Sequence, residues 1–221
     1  QIRIRGSEAN QLIFLVDGVE ANDPNTSEPL WDDILPGDIE RIEVLKGAAS
    51  VLYGSGAATA VISITTLPAS KDKVHASVSS SIGTNRSAEN SDGISNNQYT
   101  SSIPSSQSGT FALSGTLGSF FYNANFSTRY AKGLSAVEAP EDATDAFISD
   151  VYSQYEGRVK LGYKFNKNIS YSQFFSFGKV KADFDSFNYT DAENQNITNQ
   201  LRTGGQLLWK YNKGMFVFND S

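Results

Sequence analysis

The stretch TFALSGTLGSFFYNANFSTRY, Thr110 to Tyr130, sets the terms for the whole chain. Phe111, Leu113, Gly115 and Leu117 alternate with Thr110, Ala112, Ser114 and Thr116. After Gly118-Ser119-Phe120 the alternation resumes, with Tyr122, Ala124, Phe126 and Tyr130 against Asn123, Asn125, Ser127 and Arg129. A period of two puts successive side chains on opposite faces of an extended strand. The spacing predicts two antiparallel strands joined by a tight turn, one face aromatic and aliphatic, the other built from amides, hydroxyls and charge.

Working outward, the same period begins near Val74, where Val74, Ala76, Val78 and Ile82 alternate with His75, Ser77, Ser79 and Ser81. It continues through Val151, Tyr155, Val159, Leu161, Tyr163 and Phe165, set against Gln154, Glu156, Arg158, Lys160 and Lys164. Leu201, Leu207, Trp209 and Tyr211 likewise face away from Arg202, Gln206 and Lys210. Connections add a second regularity. Gly118-Ser119-Phe120, Asn166-Lys167-Asn168 and Asn212-Lys213-Gly214 are short turns, whereas Thr84 to Ser108, Lys132 to Ser149 and Asp183 to Thr198 read as long polar loops. Short turns alternating with long loops, strands of about ten residues and tyrosines near strand ends fit a transmembrane β-barrel. A soluble β-sandwich shares the alternation but does not require the two kinds of connection to take turns.

Composition agrees. Aromatics are 12% of the 221 residues while apolar residues are only 39%, too few aliphatics for a soluble core of this size and too many aromatics for a disordered chain. A net charge of −6 opposes a nucleic-acid partner, which needs a basic face. No cysteine and one histidine, His75, leave no thiolate zinc site, no cysteine nucleophile and little scope for a Ser-His-Asp triad. No set of nucleophile, base and orienting group stands out, so the chain does not read as an enzyme. No apolar run approaches the roughly 18 residues of a spanning helix.

The first 70 residues have a different texture. IERIEVLKGAASVLYGSGAATAVISITT, Ile39 to Thr66, places a Gly/Ala/Ser patch between two β-branched runs. A dinucleotide loop needs a helix after its glycines, but Gly54-Ser55-Gly56 leads into the strand-like Val61-Ile62-Ser63-Ile64, and no Gly-Lys-Ser/Thr is present. The alternation of Arg41 to Val44 favours a strand, and Ala48 to Leu52 has room for one or two helical turns. Short apolar runs joined by Gly and Asp turns predict a compact α/β domain to about Ser70. The chain also opens in mid-alternation at Gln1-Ile2-Arg3-Ile4-Arg5-Gly6, as though a preceding segment were expected.

Arg3-Ile4-Arg5-Gly6, Leu15-Val16-Asp17-Gly18-Val19 with Asn22-Asp23-Pro24, Ile39 to Gly47, Leu52-Tyr53-Gly54-Ser55 and Ile62 to Thr66 together resemble the plug domain of TonB-dependent outer-membrane receptors, nearest the vitamin B12 and iron-chelate type. The resemblance implies a partial α/β plug over 1–70, followed over 71–221 by about seven antiparallel strands of a transmembrane barrel that in this family has roughly 22. The chain departs from the family pattern at Ala48, Thr59-Ala60 and Ser63. In this light the Gly/Ala patch is a tight backbone crossing inside the barrel and not a phosphate cradle.

What the resemblance implies for function is energised uptake of a scarce ligand, an iron-siderophore or a vitamin B12-like molecule, across the bacterial outer membrane. The energy would come from a TonB-type complex acting through a segment upstream of Gln1, and the barrel would contact outer-membrane lipid. The alternative from the residues alone is a surface-exposed β-rich adhesin or carbohydrate-binding protein. Arg5 and Lys46 match plug positions expected to face glutamates of the barrel wall. Asn25, Thr26, Ser27 and Trp31 fall in the loop expected to meet substrate. Asp183, Asp185 and Asp191 are the carboxylates that would gather round a calcium ion in an outer loop; no other cofactor is expected. A partial barrel leaves two unpaired sheet edges, so the 221 residues by themselves are expected to form a curved open sheet that aggregates or requires detergent.

Overall fold

The computed structural model describes residues 4, 8–23, 26–30, 34–47, 59–83, 105–132, 150–186 and 190–220, with backbone alone at 9, 36, 185–186 and 190–193. Two sheets make up this part of the chain. The smaller contains β1 (Leu12–Val16), β2 (Val19–Glu20), β3 (Ile39–Lys46) and β4 (Ala60–Thr66) in the order β2-β1-β4-β3. β1 runs parallel to β4, while β2 and β3 pair antiparallel with their neighbours. Arg41 to Val44 is therefore strand, as its alternation indicates. Two 3-10 turns, Ala9–Gln11 and Pro36–Asp38, are the helical segments among the described residues. The helical turn expected at Ala48 to Leu52 lies outside them.

β1 is a continuous apolar run, Leu-Ile-Phe-Leu-Val, buried on both faces. Phe14, Val16, Ala21, Ile62 and Ile64 pack on one side, with Ile13, Leu15 and Val61 in a second cluster. Each of these larger side chains contributes about 1.5–3 kcal/mol by leaving water. The result is a small rigid body whose polar turns project from its ends.

The larger sheet is a seven-stranded antiparallel meander: β5 (His75–Gly83), β6 (Ser106–Leu117), β7 (Phe120–Lys132), β8 (Val151–Lys164), β9 (Ile169–Ser186), β10 (Thr190–Tyr211) and β11 (Gly214–Asp220). Its order follows the chain, and β5 and β11 form its two edges. Register sorts the side chains into two faces. Val159, Phe175 and Thr203 lie in one row, and Gly157, Phe177 and Leu201 in the next, all on the outer face. Phe175, Phe177, Leu201, Trp209 and Phe216 are exposed there, as lipid-facing residues of a barrel wall would be. The opposite face carries Asn123, Glu156, Arg158, Ser172 and Ser176, all buried beneath the small sheet. Polar residues are covered and apolar ones are bare, the reverse of a soluble sandwich.

One expectation from the sequence is corrected. Asp183 to Thr198 is not a long loop: β9 runs 18 residues to Ser186 and β10 starts at Thr190 and runs 22 residues. A strand crosses the bilayer in about ten residues, so this hairpin continues well beyond the apolar band. The outward residues change accordingly, from Phe175 and Phe177 to Lys179 and Lys181 on β9. The strands persist where the alternation that reveals them has stopped.

Candidate functional site: the seam between plug and wall

The turn between β1 and β2 is Asp17-Gly18, with φ of 52° and 81°. Two consecutive left-handed residues make the tight hairpin turn that Asp-Gly favours. This turn reaches the polar face of the wall. Asp17 Oδ2 lies 3.1 Å from Arg158 Nη2 and 3.0 Å from Lys160 Nζ, both inward-facing residues of β8. Thr66 at the end of β4 donates its backbone N–H to Oδ1 at 2.9 Å and its hydroxyl to Oδ2 at 2.7 Å. One carboxylate thus accepts four hydrogen bonds, two from within the plug and two from the wall.

The backbone of the same hairpin is gripped as well. Gln206 donates to the Asp17 carbonyl at 3.2 Å, Asn219 to the Gly18 carbonyl at 3.1 Å and Arg202 to the Glu20 carbonyl at 2.9 Å. Arg158 is buried, with its guanidinium 4.0 Å above the Phe174 ring. That ring lies against Gly204, where a Cβ would come within 2.6 Å of it. Glycine on β10 therefore lets an aromatic on β9 lie flat, and the arginine stacks on it to meet the plug. Beyond β4 the connecting segment is also tied to the wall, through Asn123 to the Leu67 carbonyl and Thr116 to the Ser70 carbonyl.

Burial by itself would raise the Asp17 carboxyl, but Lys160, Thr66 and Arg158 outweigh it and hold the group below its ordinary 3.8. Asp38, buried nearby, goes the other way. Desolvation raises it to about 6, Asp17 adds to that shift, and Arg158, Lys160 and an Asn125 hydrogen bond oppose it. The two carboxyls on the seam are therefore pushed apart: one is a fixed anion, the other titrates at mildly acidic pH.

Among the residues singled out in the sequence, Arg5, Asn25 and Trp31 lie outside the described residues. Lys46 ends β3 exposed and makes no ion pair among the described residues. Thr26 and Ser27 are exposed at the tip of a turn in which Asp23 accepts from Thr26 N–H at 3.1 Å. That turn is closed at its base by Asn22, which accepts from Phe14 N–H and donates to the Leu12 and Ser27 carbonyls. Asp183 is on β9, and Asp185 and Asp191 fall within β9 and β10 with side chains outside the description. Asp17, Asp38, Thr66, Arg158 and Lys160 were not singled out. The Asp-Gly turn was visible in the sequence; its charge partners, 141 and 143 residues away, were not.

A small sheet is clamped by charge to the polar face of a meander whose other face is bare and apolar, the arrangement of a plug against a stretch of barrel wall. Residues 1–61 match the TonB-dependent Receptor Plug Domain family. The vitamin B12 transporter BtuB of Vibrio vulnificus is 46% identical over 63 residues, 28% of this chain and 10% of that protein. The ferric enterobactin receptor PirA of Pseudomonas aeruginosa is 38% identical over 76 residues, 30% of this chain and 10% of that protein. The crystal structure of the siderophore receptor PirA from Acinetobacter baumannii superposes with a TM-score of 0.71 and 19% identity, covering 99% of this chain and 32% of that one. The chain thus spans about a third of that solved receptor, and its matched segments span a tenth of the curated relatives.

Proposed function

We propose that the receptor containing this chain imports a scarce ligand, an iron-siderophore or a cobalamin, across the bacterial outer membrane, driven by a TonB-type energy-coupling complex. The observation that carries this reading is the Asp17 clamp. The described plug–wall contacts around the hairpin are ion pairs and hydrogen bonds, and each can break and re-form against water at a modest net cost. A plug seated in this way can shift under a pull and return. The names of the relatives, a vitamin B12 transporter and a ferric enterobactin receptor, support the ligand class without choosing within it.

Under this reading Asn25, Thr26, Ser27 and Trp31 meet the ligand from the plug side, and Arg5 and Lys46 add charge contacts with the wall. The test is uptake in receptor-deficient cells expressing the full-length receptor. Labelled ferric siderophore or labelled cobalamin should accumulate only when the energy-coupling protein is present. Equal accumulation without it, or none of either ligand, would reject the reading.

A further inference from the structure

The seam holds a carboxyl group that the clamp does not use. Asp38 closes the turn Pro36–Asp38 and is 4% exposed, and its Oδ1 has no hydrogen-bond partner among the described residues. Ser176 on β9, 5% exposed, also has an unpartnered Oγ. One comes from the plug and the other from the wall, and both residues line a single small cleft of about 10 Å³. Polar atoms buried this deeply are nearly always satisfied, so two orphans facing one space mark a place where something binds.

We propose that this cleft is a proton-binding site: Asp38 holds a proton while the plug is seated on the wall and releases it when the plug moves away. The groups around Asp38 come from every element packed against it. Asp17 comes from the β1–β2 turn and Glu156, Arg158 and Lys160 from β8, while Thr66 of β4, Asn125 of β7 and Ser176 of β9 are neutral. Arg158 and Lys160 are both engaged by Asp17, which leaves an ionised Asp38 incompletely compensated in a desolvated place. Neutralisation by a proton resolves both orphans. A protonated Oδ1 becomes a donor, and Ser176 Oγ on the same cleft can accept through one bridging water.

The sign follows from burial. An exposed aspartate titrates near 3.8, whereas desolvation in the seam raises Asp38 to about 6. The seated plug therefore binds the proton more tightly than the free plug. The Asp38 contribution to seating is complete below 3.8 and is lost as pH rises through about 6. Linkage over that window changes the seating equilibrium by on the order of a hundredfold. This concerns seating alone and holds whichever ligand the receptor carries.

The experiment uses the full-length receptor in detergent, followed by infrared titration of protonated carboxyl groups and by hydrogen exchange of Leu12–Val16, corrected for intrinsic rates. Wild type should lose one protonated-carboxyl band near pH 6, and Asp38→Asn should lack that band. Protection of the hairpin should fall by on the order of a hundredfold from pH 4 to pH 7 in wild type, and should be flat in Asp38→Asn. If Asp38→Asn fails to fold, Ser176→Ala serves instead: by removing the acceptor for the protonated form it should shift the band's midpoint downward. A band that persists in Asp38→Asn, an unmoved midpoint in Ser176→Ala, or the absence of any band in wild type would overturn the assignment.

Discussion

Asp17 and Lys160 stand 143 residues apart in the chain and 3.0 Å apart in the fold, and that contact, with Arg158 beside it, seats the plug on the wall. The two cations are not equivalent. Arg158 has 5% of its side chain exposed and Lys160 24%, so loss of the carboxylate strands a buried guanidinium but only a half-buried ammonium. Asp17→Asn is expected to weaken seating by about 3–5 kcal/mol, because it leaves a buried charge uncompensated. Lys160→Met should cost about 1–2 kcal/mol, since Arg158 and Thr66 still serve the carboxylate. Hydrogen exchange of β1 in the full-length receptor measures both, and the expected order is Asp17→Asn well above Lys160→Met.

Much of the fold can be read from single strands, and the reason is physical. Between Thr110 and Tyr130 one face meets lipid and the other the polar lumen, so every second residue has to differ. Past the apolar band the outward side of β9 turns polar, with Lys179 and Lys181 where Phe175 and Phe177 stood before. Nothing forces alternation from Asp183 to Thr198, and polar strands there look like a loop. The seam was legible in half: Asp17-Gly18 announces a hairpin turn, and Arg158 and Lys160 sit at inward positions of their strand. Which carboxylate they meet depends on how two sheets stack, and no local pattern encodes that.

Gly18 is constrained twice. Its φ is +81°, and a Cβ there would approach Asn219 Nδ2 to 2.9 Å. Gly18→Ala should destabilise the hairpin by about 1–2 kcal/mol from backbone strain. Asn219→Ala by itself should cost less, as it removes one partly exposed hydrogen bond. Thermal unfolding of the two variants should rank them in that order.

Gly162 on β8 faces Phe121 on β7, its register partner, and a methyl group at 162 would overlap the Phe121 ring. Gly162→Ala should destabilise the wall by about 1–3 kcal/mol through overpacking. Adding Phe121→Leu should recover part of that loss, which a double-mutant cycle on unfolding would show as favourable coupling.

On the acid side the Asp17 clamp sets its own limit. Its carboxyl is held below 3.8 in the folded protein, so its contribution is complete above that pH and is lost only as the pH falls further. Plug protection should therefore survive acidification to about pH 4 and drop below it. Asp17→Asn should remove that acid-side drop.

The most direct test is a double-mutant cycle on Asp17→Asn and Arg158→Met in the full-length receptor, read by hydrogen exchange of Leu12–Val16. If the carboxylate and the guanidinium form the clamp, removing both should cost clearly less than the sum of the single losses, with a coupling of about 1–3 kcal/mol. Additive losses, with no coupling beyond error, would contradict the claim that this ion pair seats the plug.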